Sequence, residues 1–204
     1  SLHAKSFTWQ IVIADNASSD KTWELARILA CKFPFTLRAI RIPQKGRGRA
    51  LKIAWSTSKA RVRAYMDVDL STDIRQIPEL VGPILDGRAD VCFGSRLLPA
   101  SRVERCAKRE FISRSYNRML QSYLGVHFHD AQCGFKAISA EAADTLLLLI
   151  QDNEWFFDTE LLVLAERMGI ASCEFAVRWK ENPGTTVHIV DTVRKDLAGM
   201  KRLK

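Results

Sequence analysis

Short apolar runs that each end near an aspartate or a glycine recur through the first half of the chain. They cover residues 10–14, 37–42, 64–66 and 90–93. Apolar runs of this length are typical of strands that are buried on both faces of a sheet. Helices are predicted between them, at about 22–32, 49–58 and 77–85. Strands that alternate with helices indicate an α/β fold with a mostly parallel sheet.

The second half is predicted to be mostly helical. Apolar stripes indicate helices at about 109–124, 141–150 and 159–168, and a last helix at 189–203 carries basic residues towards its end. An alternating pattern at 172–179 indicates an edge strand. No linker or repeat divides the chain, so one domain is expected from its 204 residues.

Composition narrows the class of protein. With 47% hydrophobic and 26% charged residues, the chain has ordinary globular usage, which excludes a disordered or collagen-like protein. Its longest apolar run, residues 146–150, is far short of the roughly 20 residues that a membrane-spanning helix needs. No secretory signal is recognised, and five scattered cysteines without paired spacing favour a reducing, cytosolic setting.

The net charge of +8 is concentrated in three stretches. Residues 38–63 carry nine basic residues and no acidic one, residues 96–118 carry seven and two, and residues 194–204 carry five and one. Such an imbalance indicates a polyanionic partner, which could be nucleic acid, a phosphorylated small molecule or an anionic membrane surface. A solvated basic surface without a partner is the alternative.

Candidate functional residues stand at the ends of the predicted strands, where ligands bind in parallel α/β sheets. Asp67 and Asp69 follow a strand, and a carboxylate pair with open positions suits Mg²⁺ or Mn²⁺ on a diphosphate, although such a pair also caps helices. The glycine loop 45–49 would let backbone approach a phosphate, or it would only turn the chain. Residues 94–96 (GSR) form a third, weaker candidate.

Taken in order, these motifs resemble glycosyltransferase family 2, and within it the dolichyl-phosphate or polyprenyl-phosphate sugar synthases. The resemblance covers about residues 9–179 and rests on 15–20 (DNASSD), the loop 45–49, 67–71 (DVDLS), 94–96 (GSR), 130–136 (DAQCGFK), 157–162 (FDTELL) and 177–179 (VRW). It implies a GT-A (Rossmann-like) fold, a nucleotide-sugar donor and inversion at the anomeric carbon.

The resemblance also implies roles for single residues. Asp15 and Asn16 would contact the nucleoside, Arg47 would face the donor, and Asp67 and Asp69 would bind the metal, with Asp69 the more direct ligand. Three further roles are implied around the reaction centre and the acceptor. Asp130 would be a carboxylate at the catalytic centre. The lipid phosphate would be held by Arg96, Arg109 and Ser113, and the acceptor side would be framed by Asp158 and Glu160. The last pair could instead cap the helix that is predicted from 159.

Two departures from the family pattern concern the donor pocket. Asn16 and Ala17 stand where the family more often has Asp and Gly. Members also normally begin with a strand that helps to hold the base, so the sheet is expected to lack its first strand. Residues 1–180 are interpreted as a truncated catalytic domain, and residues 181–204 as a basic segment or helix that could lie beside a membrane.

The resemblance therefore predicts transfer of a hexose to a polyprenyl or dolichyl phosphate, with UDP-glucose favoured over GDP-mannose as donor and Mg²⁺ or Mn²⁺ as cofactor. The protein would lie at the cytoplasmic face of an anionic membrane, as a peripheral protein that binds no nucleic acid. Two alternatives stay open: a nucleotide-sugar enzyme with a soluble or polysaccharide acceptor, and a basic nucleic-acid-binding module. The second has no recognised motif or interleaved stacking aromatics in its favour.

Overall fold

The computed structural model describes residues 7–181 and 189–204. Its strands are β1 Ile11–Asn16, β2 Leu37–Ile42, β3 Val62–Met66, β4 Val91–Ser95, β5 Arg102–Glu104, β6 Phe135–Ser139, β7 Ser172–Ala176 and β8 Arg178–Lys180. Its helices are α1 Thr22–Lys32, α2 Arg47–Ser56, α3 Ile77–Leu85, α4 Ala107–Leu124, α5 Ala140–Leu149, α6 Phe157–Arg167 and α7 Ile189–Arg202. None of the helices in these ranges is both long and apolar enough to cross a membrane.

The strands form three sheets. β1 and β2 pair in parallel, β5 and β8 pair in parallel, and a four-stranded sheet has the order β3-β6-β4-β7. The prediction of an α/β fold is confirmed, but the larger sheet is mixed. β6 runs antiparallel to both β3 and β4, whereas β4 and β7 are parallel.

The antiparallel strand β6 was not predicted, and it determines where the site lies. Because β6 runs against β3 and β4, those two strands point the same way and end at one edge of the sheet. The turn that precedes β6 reaches the same edge, where the Asp67 amide donates to the Gly134 carbonyl oxygen at 3.1 Å. Residues after β3, residues after β4 and the turn before β6 therefore meet there.

The core lies on both faces of the four-stranded sheet. On one face, side chains of α4, α5 and α6 pack with Phe93 and Ile138 of the sheet. On the other face, Leu80 and Ile84 of α3 pack on Cys92 and Phe135. All five residues of β4 and all five of β6 are buried, so these strands are covered on both sides.

The predicted helices are all present, with ends that shift by at most two residues. Local contacts explain several of these ends: the Asp20 carboxylate accepts from the Thr22 amide at 2.9 Å where α1 begins, and Ser139 accepts from the Ala142 amide at 3.1 Å where α5 begins. α4 ends at Gly125, whose φ of +70° favours glycine. The predicted edge strand 172–179 is divided into β7 and β8, which lie in different sheets.

Candidate active site at the strand ends

The glycine loop packs against the turn before α6. A Cβ atom at Gly46 would lie 2.5 Å from the Asn153 carbonyl oxygen, and one at Gly48 would lie 2.6 Å from the Phe157 Cβ. The Gly48 amide donates to the Glu154 carbonyl oxygen at 3.0 Å, and the Arg49 amide donates to that of Asn153 at 2.9 Å. The glycines of the loop therefore allow a close approach to the turn before α6, and the phosphate contact of the loop stays a prediction.

The Arg47 side chain, in the first turn of α2, crosses from this loop into the site. Its guanidinium binds the Asp158 carboxylate and lies 3.0 Å from Asp67 Oδ1 and 3.2 Å from the Tyr65 hydroxyl. It also stacks on the rings of Tyr65, at 5.0 Å, and Trp155, at 5.3 Å. Burial alone would lower the pKa of Arg47, but the neighbouring Asp158, Tyr65 and Asp67 raise it well above its ordinary value. Arg47 is thus a fixed cation beside the predicted metal-binding residues.

Asp67 and Asp69 lie in an exposed turn after β3. Asp67 fits against Gly134, where an added Cβ would lie 1.9 Å from Asp67 Oδ2, so a side chain at this position would displace the Asp67 carboxylate. Asp69 accepts from the Ser71 amide at 3.0 Å and from the Ser71 hydroxyl at 2.8 Å. Within residues 7–181 and 193–204, no group of three His, Cys, Asp or Glu side chains is arranged for a metal. The two carboxylates fit Mg²⁺ or Mn²⁺ if a diphosphate and water supply the other oxygen ligands.

Asp130 is fully buried and is held by Arg96 from the end of β4. Arg96 Nε and Nη2 donate to the two carboxylate oxygens at 2.8 and 2.9 Å, and the Arg96 amide adds a third bond at 2.9 Å. Burial raises the pKa of Asp130, but the charge and hydrogen bonds of Arg96 outweigh it and lower the pKa to about 2. Trp179 stacks on the Arg96 guanidinium at 5.6 Å. The predicted catalytic carboxylate and the first predicted acceptor cation therefore form one buried pair.

Three predicted ligand-binding residues carry buried polar atoms that have no hydrogen-bond partner. They are Asp15 Oδ2, Asn16 Oδ1 and Ser113 Oγ, among six such side-chain atoms in the described part of the chain. Arg41 Nε is 3.7 Å from Asp15 Oδ2, too far for a hydrogen bond. Buried polar groups are normally satisfied, so such exceptions need an explanation, for which a bound ligand is one candidate.

Arg109 and Glu160 pair with residues outside these two clusters. Arg109 is half-exposed on α4, and its Nη1 lies 2.5 Å from Glu181 Oε1. Glu160 is buried in α6 and accepts from the Asp152 amide at 2.8 Å and from Arg202 of α7 at 2.9 Å. The acceptor-side role of Glu160 stays a prediction, because its contacts join α6 to α7. Asp158, in contrast, points to Arg47, in the site.

Two further residues of the site were not predicted from the sequence. Lys136 of β6 is fully buried, and Nζ lies 3.1 Å from Asp158 Oδ1. The Tyr65 hydroxyl also donates to Asp158, and burial raises the pKa of that hydroxyl well above its ordinary value. One signal for Lys136 was present: a lysine in the short run 135–138 (FKAI), which otherwise reads as a buried strand.

The chain is similar to known glycosyltransferases along most of its length. It is 36% identical over 192 residues to glycosyltransferase AglD of Haloferax volcanii, covering 94% of this chain and 30% of that protein. It is 32% identical over 183 residues to dolichyl-phosphate beta-glucosyltransferase ALG5C of Trichomonas vaginalis, covering 86% of this chain and 54% of that protein. The chain therefore spans about a third to a half of these relatives.

Solved structures confirm the GT-A fold. Glucosyl-3-phosphoglycerate synthase from Mycobacterium tuberculosis, in complex with UDP, matches with a TM-score of 0.70 at 20% identity, over 94% of this chain and 68% of that one. Another structure of that enzyme, with Mn²⁺, UDP-glucose and phosphoglyceric acid, matches with a TM-score of 0.68 at 18% identity, over 94% and 67% of the two chains. The family model of glycosyl transferase family 2 matches residues 1–147. With this match over most of its length, the chain belongs to glycosyltransferase family 2.

Proposed function

We propose that the protein transfers glucose from UDP-glucose to a polyprenyl or dolichyl phosphate, with inversion at the anomeric carbon. The observation that carries this proposal is the pair of charge clusters at one sheet edge: Asp67 and Asp69 beside Arg47, and Asp130 with Arg96. The names of the relatives, which include a dolichyl-phosphate beta-glucosyltransferase, support the lipid acceptor. GDP-mannose is the second donor to test.

The first cluster suits the donor. A divalent cation on Asp67 and Asp69 would neutralise the departing diphosphate, which is the chemistry a metal supplies in such a site. Arg47 offers a fixed positive charge beside the same carboxylates. Asp15 and Asn16 would receive the nucleoside with their unsatisfied oxygens.

The second cluster suits an anionic acceptor. A phosphate monoester loses its second proton near pH 6, so a lipid phosphate is already a nucleophile at neutral pH. Asp130 has a pKa of about 2, which makes it a weak base, and its bidentate bonds fix the Arg96 guanidinium. We therefore propose that Asp130 orients the Arg96 side chain. The acceptor phosphate would be held by Arg96, Arg109 and Ser113.

The proposal also includes a peripheral place at the cytoplasmic face of an anionic membrane. Lys108, Phe111, Arg114 and Arg118 are all exposed on α4, and we call this set the α4 stripe. Phe111 has 72% of its surface exposed, among three cations that would face anionic headgroups. The adjoining helix α7 adds exposed Arg194 and Lys201, and Lys204 is exposed just after its end.

A donor and acceptor screen tests the proposed function. The intact protein is incubated with Mn²⁺, labelled UDP-glucose or GDP-mannose, and either polyprenyl phosphate or a soluble phosphorylated acceptor. We expect labelled glucose in the lipid phase, and loss of Mn²⁺-dependent UDP binding in Asp69→Ala. Ser71→Ala is the control, because it removes the hydroxyl bond to Asp69 and keeps the Asp69 carboxylate and the bond from the residue 71 amide. Label only in the soluble acceptor would contradict the lipid acceptor, and unchanged UDP binding in Asp69→Ala would contradict the metal site.

A further inference from the structure

Lys136 is a buried cation with three polar partners. Its ammonium group donates to the Ala131 carbonyl oxygen at 3.0 Å and to the Cys133 carbonyl oxygen at 2.6 Å, and lies 3.1 Å from Asp158 Oδ1. Two hydrogen bonds and one ion pair thus surround a group that can donate three protons. A buried charge is costly unless it is paired in this way, which makes the position of Lys136 and of its partners interdependent.

The three acceptors belong to two sides of the site. Ala131 and Cys133 lie in the turn after Asp130, which binds Arg96 on the acceptor side. Asp158 begins α6 and also binds Arg47, which contacts Asp67 on the donor side. A continuous path of polar contacts thus runs from Asp67 to Arg96, and Lys136 stands in its middle.

Other contacts of the turn lead to other elements of the fold. The Asn117 side chain of α4 accepts from the Ala131 amide at 2.9 Å, and Glu174 of β7 accepts from the Asp130 amide at 3.2 Å. These contacts tie the turn to α4 and β7, whereas Lys136 ties it to α6 and, through Asp158, to the glycine-loop arginine. Two contacts of this turn lead towards the donor carboxylates: the backbone bond from the Asp67 amide to the Gly134 carbonyl oxygen, and the side-chain contact of Lys136 with Asp158, which binds Arg47.

We propose that Lys136 is a positioning residue, which fixes the separation of the donor and acceptor clusters. The proposal rests on the proposed function, in which two anions must be held close together for in-line attack. Lys136 touches neither substrate, because it is fully buried beneath Asp158 and the turn. Its effect is geometric: a displacement of about 1 Å between reacting groups is enough to lower a rate by about 100-fold.

Arg63 provides a matched control for the loss of a buried cation. It lies on β3 opposite Ile138 of β6, is 8% exposed, and pairs with Asp144 of α5 at 3.0 Å. Lys136→Met and Arg63→Met each remove one cation from the same pair of strands. Only the first removes a contact between the two clusters.

The first measurement is hydrogen exchange of the free protein, which does not depend on activity. In Lys136→Met we expect faster exchange in segments on both sides, at the Arg96 and Gln132 amides that bind Asp130 and in the first turns of α2 and α6. In Arg63→Met those segments should exchange as in the wild type. Faster exchange on one side only, or equal changes in both variants, would overturn the proposal.

The second measurement is kinetic. For Lys136→Met we expect kcat to fall about 100-fold while the KM for UDP-glucose and for polyprenyl phosphate changes less than about threefold. Lys136→Arg keeps the charge and should recover part of kcat, and it replaces Lys136→Met if that variant does not fold. A kcat that follows only the loss of stability, as in Arg63→Met, would overturn the positioning role. If the wild type transfers no hexose to lipid phosphate, the proposed function fails, and the exchange result alone decides whether Lys136 couples the clusters.

Discussion

At the scale of single residues, the site contains two kinds of polar group: charged side chains that form ion pairs, and buried oxygen atoms that have no hydrogen-bond partner. Arg47, Arg96 and Lys136 are all bound to buried carboxylates, which stay ionised because of these partners. Ser113 Oγ, by contrast, is buried without a partner on α4. The paired charges form a rigid frame, whereas the unpaired oxygen leaves capacity for a ligand.

Arg109 is the residue whose predicted role most needs a direct test, because the structure pairs it with Glu181. If Arg109 binds the acceptor phosphate, it exchanges this partner for the phosphate. Arg109→Ala should then lower kcat/KM for polyprenyl phosphate by about ten- to a hundredfold, since a charge-assisted hydrogen bond contributes about 1.5–3 kcal/mol. UDP affinity should stay nearly constant in steady-state kinetics and calorimetry.

Glu181→Gln is the companion variant for Arg109. It weakens the ion pair at 2.5 Å and leaves the arginine in place, so the KM for polyprenyl phosphate should fall or stay constant. An acceptor dependence that Arg109→Ala leaves unchanged would remove this residue from the site. A parallel loss of UDP binding would move it to the donor pocket.

At the scale of elements, local patterns predicted the helices and most strands but missed the short strand β5 and the central strand β6. A strand buried on both faces reads as a continuous apolar run, and Lys136 interrupts the run 135–138. The lysine is tolerated there because Asp158, 22 residues further along the chain, neutralises it. That pairing is a tertiary contact, so neither periodicity nor propensity could indicate it. The antiparallel direction of β6, and with it the mixed sheet, was missed for the same reason.

The order of the motifs predicted which residues of the candidate site lie near one another. It did not predict the contacts that they make. Residues 67–69, 96 and 130 do gather at one edge of the sheet, as strand-end positions predict. The glycine loop differs: Gly46 and Gly48 are required by the backbone of the turn at Asn153, which is remote in sequence. A glycine pattern shows that something approaches closely, and not whether it is a phosphate or protein.

The last helix, α7, carries a buried carboxyl that makes its packing sensitive to pH. Asp196 is 3% exposed, and burial raises its pKa to about 7, against the lowering effect of a hydrogen bond from Tyr116 of α4, while the nearby Asp152 adds to the rise. The folded state then binds more protons than the unfolded state between about pH 4 and pH 7. The stabilisation is fully present below that range and is lost as the pH rises to about 7.

Asp196→Asn tests this dependence, since the amide keeps the size of the side chain and does not titrate. The Tm of the wild type minus that of Asp196→Asn should fall by about 2 °C or more between pH 4 and pH 7 and then stay constant. Glu24→Gln, at an exposed carboxylate in the first turn of α1, is the control and should show no such trend. Parallel melting curves for wild type and Asp196→Asn across this range would contradict the expectation.

At the scale of the whole molecule, the cations of the three basic stretches lie in different environments. Arg47 and Arg96 are bound inside the site, and Arg63 is buried in the sheet. The cations that remain exposed include those of the α4 stripe and of α7, two helices that pack together. Because some of the basic residues are buried or bound in the site, the net charge of +8 overestimates the positive charge that is exposed on the surface. A contact with an anionic membrane would be made by these two helices.

Binding to lipid vesicles tests that surface through its exposed aromatic residue. Phe111→Ser should lower the partition coefficient for anionic vesicles, measured by sedimentation, by about tenfold or more, because burying a phenylalanine contributes about 1.5–3 kcal/mol. Leu148→Ser is the control, since Leu148 is 86% exposed on α5, outside the α4 stripe, and should bind as the wild type does. Raising the salt to about 1 M, where charges are screened beyond about 3 Å, should release the wild type. Equal sedimentation with neutral and anionic vesicles at low salt, or an equal loss in both variants, would contradict a membrane contact through α4, because a basic amphipathic surface must respond both to lipid charge and to the loss of its apolar anchor.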